Sequence, residues 1–160
     1  MSPMYNLLVT LVPRAWERTA FVLERERVLE YSDAPLQKKF RALSARAAGQ
    51  LLQLPCLFAY EQQVGADARL GHITRIQRRR NDVRMEFRID RASPPVPREL
   101  LDKSRSDFDI AAGELSRTHW AVKDVALLEM LEARGLLAAR ERRRLQRALQ
   151  ADADAVQVRR

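Results

Sequence analysis

The sequence predicts an α+β fold in which a small, strongly twisted antiparallel sheet packs on one central helix and a C-terminal helical hairpin completes the core. Three segments carry this prediction: an alternating stretch over 83–90, an apolar helical stripe within 33–54, and a leucine-rich segment over 125–150. Because the predicted strands are all short, a curled sheet of SH3-like barrel type is the nearest architecture. That analogy concerns the fold and implies no function.

The alternating stretch is the second arm of a predicted β-hairpin over 70–90. Its apolar and charged residues occupy alternate positions, so one face of the strand is buried and the other is exposed. The buried face consists of Val83, Met85, Phe87 and Ile89. On the first arm, Ile73 and Ile76 differ in parity, which predicts a β-bulge. The connection is three arginines followed by an Asn-Asp pair, so the hairpin has a basic turn.

Short strands are also predicted before the hairpin. Residues 5–12 form an apolar run that ends at Pro13, which indicates a buried strand. The segment 14–30 fits either a helix or a strand, and we expect a strand over 20–31. Residues 57–60 are apolar and predict a further strand directly before the hairpin.

The central helix is predicted over 33–54. Ser32 or Asp33 can cap its free N–H groups, and Pro35 fits the first turn, where a missing donor has no cost. Apolar residues then recur at spacings of three and four, which places them on one face of the helix. They are Leu36, Phe40, Leu43, Ala47 and Leu51. A Leu-Pro pair ends the helix.

The chain after the hairpin is predicted to be helical. A proline-rich connector over 93–97 leaves the sheet, and one or two helical turns follow over 98–103. Asp124 can cap a leucine-rich helix that stops near Gly135. These elements complete a single α+β domain over 1–135.

Residues 136–160 are predicted to form a basic C-terminal helix with a frayed tail. Five arginines lie within 136–150, whereas the apolar side of that helix is thin. The last ten residues alternate small and charged side chains, so we expect them to fray. This helix and the one before it form the predicted hairpin, which could also mediate oligomerisation.

Composition points to a soluble cytoplasmic protein. The chain has 29 Lys and Arg against 21 Asp and Glu, a net charge of +8, which makes acidic partners plausible. Cys56 is the only cysteine, so no internal disulfide can form, as suits a reducing compartment. The N-terminal residues lack a basic leader and a long apolar run, so we expect neither a signal peptide nor a membrane span.

No enzyme, metal or cofactor signature is present. The two histidines and Cys56 lack ligand spacing, and the acidic residues Asp107, Asp109 and Glu114 are poorly spaced for a metal. No glycine-rich loop precedes a Lys-Ser or Lys-Thr pair. The best candidate for acid–base chemistry, such as RNA cleavage, is His119 with Arg117 as a phosphate contact.

The basic hairpin is the stronger candidate site. Its arginines could share one side or one tip, where they would face phosphate groups or an acidic protein. They are Arg75, Arg78, Arg79, Arg80, Arg84 and Arg88. The alternative is that the interleaved acids Asp82, Glu86 and Asp90 form ordinary cross-strand ion pairs with them. The nearby aromatics, Tyr60 and Phe87, are expected to be buried rather than presented for base stacking.

Three stretches resemble a known type of module. They are 54–61, the strand segment 71–74, and 117–125, which contains the sequence Arg-Thr-His-Trp-Ala-Val-Lys-Asp-Val. Together they are similar to a small uncharacterised module of prokaryotic anti-phage defence and conflict-system proteins, over about 31–131. The resemblance implies an accessory or sensing domain beside an effector. It assigns no catalytic residue.

The leading hypothesis is a non-enzymatic binding module of a bacterial cytoplasmic system. Its basic hairpin would contact an acidic protein or a nucleic acid, and His119 and Trp120 would connect the sheet with the helices. Two alternatives remain: a small ribonuclease or toxin-like enzyme that uses His119 and Arg117, and a structural subunit that oligomerises through its C-terminal helices.

Overall fold

A computed structural model of the protein describes residues 3–158, with side chains through Asp152. The chain forms one six-stranded sheet with five α-helices, which confirms the α+β class. The strands are β1 (Tyr5–Thr10), β2 (Ala20–Glu24), β3 (Cys56–Tyr60), β4 (Arg69–Arg78), β5 (Asp82–Ile89) and β6 (His119–Lys123). The helices are α1 (Ala34–Phe40), α2 (Ala45–Leu51), α3 (Arg98–Lys103), α4 (Leu127–Ala133) and α5 (Ala139–Val158).

The sheet is open and mixed, with strand order β2-β5-β4-β3-β1-β6. β1 and β3 run parallel, and every other neighbouring pair is antiparallel. The prediction of an antiparallel sheet is therefore wrong for this pair, and the barrel is not confirmed. The reason is the connection between β1 and β3, which contains α1 and α2 and is long enough to return the chain in the same direction.

Both faces of the sheet are covered, and each carries a hydrophobic core. Alternate residues of β1 enter the two cores: Leu7 packs against α3, α4 and α5, whereas Leu8 packs against α1 and α2. We name them the α3–α5 core and the α1–α2 core. Because both sides are covered, every residue of β1, β3 and β6 is buried.

The central helix is broken, which corrects the prediction of one continuous helix over 33–54. Leu43 adopts a left-handed backbone conformation with φ of 47°, which ends the first helical segment. The Ser44 hydroxyl then accepts a hydrogen bond from the Ala47 N–H (3.1 Å) and caps the second. The apolar stripe survives the break, since Phe40, Leu43, Ala47 and Leu51 are all buried. Leu36 is partly buried against the same core.

The predicted hairpin is confirmed as β4 and β5. Their register shifts between Ile73 and Arg75, so the predicted bulge is present and lets Ile73 and Ile76 pack into the same α1–α2 core. β2 adds to the outer side of β5. It is shorter than the strand predicted over 20–31, because a 3-10 turn follows it at Arg25–Arg27.

The boundaries of α4 and α5 differ in part from the predicted ones. α4 ends near Gly135, as expected; the φ of Gly135 is 75°, and the Leu136 N–H donates to the Leu131 carbonyl (2.9 Å). Its N-cap is Ala126 rather than Asp124. α5 continues through most of the predicted frayed tail, and residues 159–160 of that tail lie outside the described residues.

β6 is a strand that the sequence analysis did not predict. It pairs with β1 at one edge of the sheet. On its other side, Val28 forms an isolated β-bridge with Trp120. Among the helices of the described chain, none combines the length and the hydropathy that crossing a lipid bilayer requires.

Candidate functional site

The β4–β5 hairpin ends in a short turn that projects three arginines. Arg78 is the last residue of β4 and pairs with Val83, and the Arg79 N–H closes the turn on the Asp82 carbonyl (2.9 Å). Arg78, Arg79 and Arg80 are all exposed. The hairpin itself therefore holds the turn arginines at the surface.

The structure separates the six predicted arginines into two groups. Arg75, Arg84 and Arg88 lie on the strand face opposite the α1–α2 core. Glu86 accepts hydrogen bonds from Arg75 (3.3 Å) and Arg84 (3.2 Å), and Arg88 lies 3.8 Å from Asp152. Of the predicted cross-strand ion pairs, the one between Arg75 and Glu86 is present on this face, whereas Asp82 pairs with Arg79 and Asp90 with Arg144. These three charges are largely engaged within the protein.

Of the three turn arginines, two have partners within the protein and one has none. Arg78 has the parity of Val83, so its side chain reaches the other face of the sheet, where it donates to the Ala42 carbonyl (2.6 Å). Arg79 pairs with Asp82 (2.5 Å). Arg80 makes no side-chain hydrogen bond or ion pair with any residue that the structure describes.

Two further arginines join the turn from distant segments. The Arg25 N–H bonds the Asn81 carbonyl (3.3 Å), so the chain leaving β2 borders the turn. Arg41 precedes Ala42, the residue that Arg78 contacts. Both side chains are exposed. We name Arg25, Arg41, Arg78, Arg79 and Arg80 the basic tip; the acids Glu24, Glu26 and Asp82 border it. No sequence pattern predicts that Arg25 or Arg41 lies here, because the place of Arg25 depends on the pairing of β2 with β5 and that of Arg41 on the contact between Arg78 and the segment after α1.

A buried charge cluster lies at the other edge of the sheet. Glu114, His119 and Lys123 have side chains that are at most 3% exposed. Glu114 accepts from Lys123 (2.8 Å), lies 2.7 Å from the His119 ring and also accepts from the Ala111 N–H (2.9 Å). Lys123 also donates to the Tyr31 carbonyl (2.7 Å). Of this cluster, the sequence analysis singled out His119 and Glu114 but not Lys123.

Both ring nitrogens of His119 have partners within the fold. Its Nδ1 lies 2.6 Å from the Arg117 carbonyl, an oxygen that can only accept, so Nδ1 is the donor of this bond. Its Nε2 faces Glu114. Burial raises the pKa of Glu114, but hydrogen bonds from His119 and Lys123 outweigh it, so this pKa is lowered overall. Glu114 is therefore a carboxylate held by Lys123 and by the His119 ring.

The residues of the alternative ribonuclease are engaged within the fold. The His119 ring has no exposed surface, and both of its nitrogens are bonded. The Arg117 Nε donates to both carboxylate oxygens of Glu30, at 2.9 and 3.0 Å. Trp120 donates from its indole nitrogen to the Asn6 side chain (3.0 Å) inside the α1–α2 core. In this arrangement His119 is not open to a substrate.

Cys56 and Asp107, two further residues considered for chemistry, also have partners within the fold. Cys56 is buried, accepts from the Asn6 side-chain amide (3.4 Å), and has a pKa raised to about 12 by burial. Asp107 pairs with Arg134 (2.5 Å). Over the described part of the chain, no group of three or more His, Cys, Asp or Glu side chains is placed to hold a metal ion.

Comparisons with family models, with curated proteins and with solved structures give no match to this chain.

Proposed function

We propose that the protein is a non-enzymatic binding module that contacts the phosphate backbone of a nucleic acid through the basic tip. The main supporting observation is that five exposed arginines from three separate segments of the chain lie at one hairpin turn or in segments that border it. Such a cluster favours binding to a phosphate backbone, because each phosphate that is neutralised releases condensed counterions.

The chemistry of the tip favours backbone contacts over base recognition. Arginine offers a planar fork of donors that matches phosphate oxygens. The two aromatics considered for base stacking do not serve the tip: Phe87 and Tyr60 are buried, as expected, and Phe87 pairs with Ile73, away from the turn. Binding should therefore depend weakly on nucleotide sequence. An accessory role beside an effector, as the resemblance implies, is part of the same proposal.

The test is binding of fluorescent single- and double-stranded DNA and RNA across a salt series. If the tip neutralises three to five phosphates, the log–log slope on duplex DNA should lie between about −3 and −4.5. No binding at low salt would reject the nucleic-acid proposal. An acidic protein surface would then be the next partner to test.

Charge reversal at the tip sharpens this test. Arg25→Glu with Arg80→Glu changes two side chains that have no partner among the described residues, so the fold should be unaffected. We expect the double variant to lose at least about tenfold in affinity and to show a shallower salt slope. Arg140→Glu with Arg143→Glu is the matched control, since it makes the same charge change at two exposed positions on α5. Equal losses in both variants would show that overall charge, and not the basic tip, drives binding.

A further inference from the structure

A cleft of about 580 Å³ lies beyond the C-terminal ends of the parallel strands β1 and β3. Its walls come from the chain after β1, the end of β3 and the loop after it, the start of β4 and the end of β5. Crevices outside the carboxyl ends of parallel strands are where open sheets most often bind ligands. The volume is in the range of small-molecule sites.

Two cations in this cleft are weakly engaged. Arg69 makes only long contacts, 3.4 Å each, with the carbonyls of Arg91 and Ser93. Arg91 is exposed, and its side chain has no hydrogen bond or ion pair with a described residue. Because Arg69 reaches the backbone of Arg91, the two residues are neighbours, and their guanidinium groups can converge on one anion.

The other charged groups of the cleft already have partners. Arg14 donates to Glu17 (2.7 Å), and Asp67 accepts from the Arg98 N–H (3.0 Å). The two acids are thus occupied, and the free hydrogen-bonding capacity belongs to Arg69 and Arg91.

The hydroxyl of Tyr60 is a further donor that faces this cleft. Tyr60 is 9% exposed and accepts a hydrogen bond from the Trp16 N–H (3.2 Å). Among the described residues its own proton has no acceptor. A buried hydroxyl normally donates, so an acceptor in the cleft would complete its bonding.

The backbone beside the cleft is strained. Arg14 has φ of 63°, a left-handed conformation that residues other than glycine adopt infrequently. Such outliers concentrate at ligand sites, where the surrounding structure holds them in place. The cleft is also lined by three apolar residues, Pro13, Val64 and Ile89.

We infer that this cleft binds a small organic phosphate of nucleotide size. The phosphate group would lie between Arg69 and Arg91, with Tyr60 donating to one of its oxygens. The apolar or aromatic body would lie against Pro13, Val64 and Ile89. This site is separate from the basic tip and does not depend on nucleic-acid binding there.

The probes are the four nucleoside 5′-monophosphates and inorganic phosphate, titrated into the full chain by calorimetry. Trp16 lines the cleft, so its fluorescence gives a second readout. We expect saturable binding of at least one nucleotide at concentrations below about 10 mM, with a change in tryptophan emission. Arg69→Gln with Arg91→Gln should weaken that binding by at least about tenfold, and Tyr60→Phe by a smaller factor.

Two matched variants keep the test specific. Arg25→Glu with Arg80→Glu removes charge at the basic tip and should leave nucleotide affinity unchanged. Circular dichroism of the Arg69→Gln, Arg91→Gln variant must match the parent chain. The inference is overturned if none of the four nucleotides binds saturably. It is also overturned if the folded Arg69→Gln, Arg91→Gln variant keeps full nucleotide affinity. If inorganic phosphate binds as tightly as the nucleotides, the claim that the ligand is of nucleotide size is overturned, because the apolar residues of the cleft would then contribute nothing to binding.

Discussion

The carboxylate of Glu114 contacts the Lys123 ammonium and the His119 ring, and all three side chains are buried. A buried ion pair contributes little compared with an apolar replacement, but removing one partner leaves an uncompensated charge. The residues beside the cluster are also strained, since Leu29, Tyr31 and Asp109 have positive φ. At the scale of the residue, this is where a single substitution should cost the most.

Glu114→Gln should destabilise the protein by about 3–5 kcal/mol at neutral pH, because Lys123 and His119 then face no negative charge. Guanidinium unfolding gives the measurement. Glu26→Gln is the control, since Glu26 is exposed and makes no ion pair with the described residues. Equal unfolding free energies for both variants would show that the cluster is not held by its charges.

The same variant should also change the dependence of stability on pH. The pKa of Glu114 is lower in the folded protein than in the unfolded chain, where glutamate has a pKa of about 4.3. Its contribution is therefore present above that pH and is lost as the pH falls toward the folded-state pKa. The parent chain should lose more stability than Glu114→Gln between about pH 5 and 3. Parallel curves would contradict this assignment.

At the scale of the element, α5 is held to the sheet by polar contacts as well as by its leucines. Arg144 donates to Asp90 (2.7 Å) and to Ser93 (3.2 Å), and Ser93 donates to Asp90. Further along the helix, Asp152 lies 2.5 Å from the His72 ring. Burial raises the pKa of Asp90, but the bonds from Arg144 and Ser93 outweigh it and lower this pKa.

Arg144→Met should loosen α5, because Asp90 would lose its cationic partner. Arg144 is more than a third exposed, so we expect a loss of only about 1 kcal/mol. Amide hydrogen exchange should accelerate in α5 before it does so in β1 and β3. Arg147→Met serves as the control on the same helix, since Arg147 is exposed and has no ion pair with a described residue. Unchanged exchange in α5 would show that its apolar face alone holds it.

The elements that the sequence predicts best are those with a clear local period. Alternation identified β5, and the parity of Ile73 and Ile76 identified the bulge in β4. The apolar stripe of α1 and α2 was also visible, but the break at Leu43 was not, since leucine at positive φ has no sequence signature. β6 was missed because a five-residue strand that includes His119 and Lys123 has no alternating polarity.

The candidate site could be predicted only in part, for a related reason. Three turn arginines are consecutive in sequence, so the basic turn was predictable from the hairpin. Strand parity explains why Arg75, Arg84 and Arg88 lie on the other strand face. The positions of Arg25 and Arg41 beside the turn depend on tertiary contacts. The cleft likewise requires the parallel pairing of β1 with β3, which no local pattern encodes.

Considered as a whole, the molecule consists of two cores that share one sheet. β1, β3 and β6 each send side chains into both cores, so neither core is complete without these strands. Leu137, two residues before α5, and Leu145, within α5, are buried in the α3–α5 core. Truncation after Gly135 would thus expose that core, and it does not provide a clean test of oligomerisation through the C-terminal helices.

The shared strands predict that the two cores unfold together. Both tryptophans, Trp16 and Trp120, lie in the α1–α2 core, whereas the longest helix, α5, packs on the other side. Tryptophan emission should therefore report the α1–α2 face, whereas the largest share of the helical circular dichroism comes from α5 on the other face. In guanidinium unfolding we expect both signals to give the same midpoint, as in a two-state transition.

Leu145→Ala tests this coupling across the sheet. The substitution removes a buried side chain from the α3–α5 core and should cost about 2–5 kcal/mol. If the cores are coupled, the midpoint of tryptophan emission falls as far as that of circular dichroism, although no tryptophan lies in the altered core. Leu11→Ala is the control, since Leu11 is 46% exposed and should move neither signal by much. A drop in the dichroism midpoint with unchanged tryptophan emission would mean that the sheet does not transmit the loss, and that α5 and its core unfold separately.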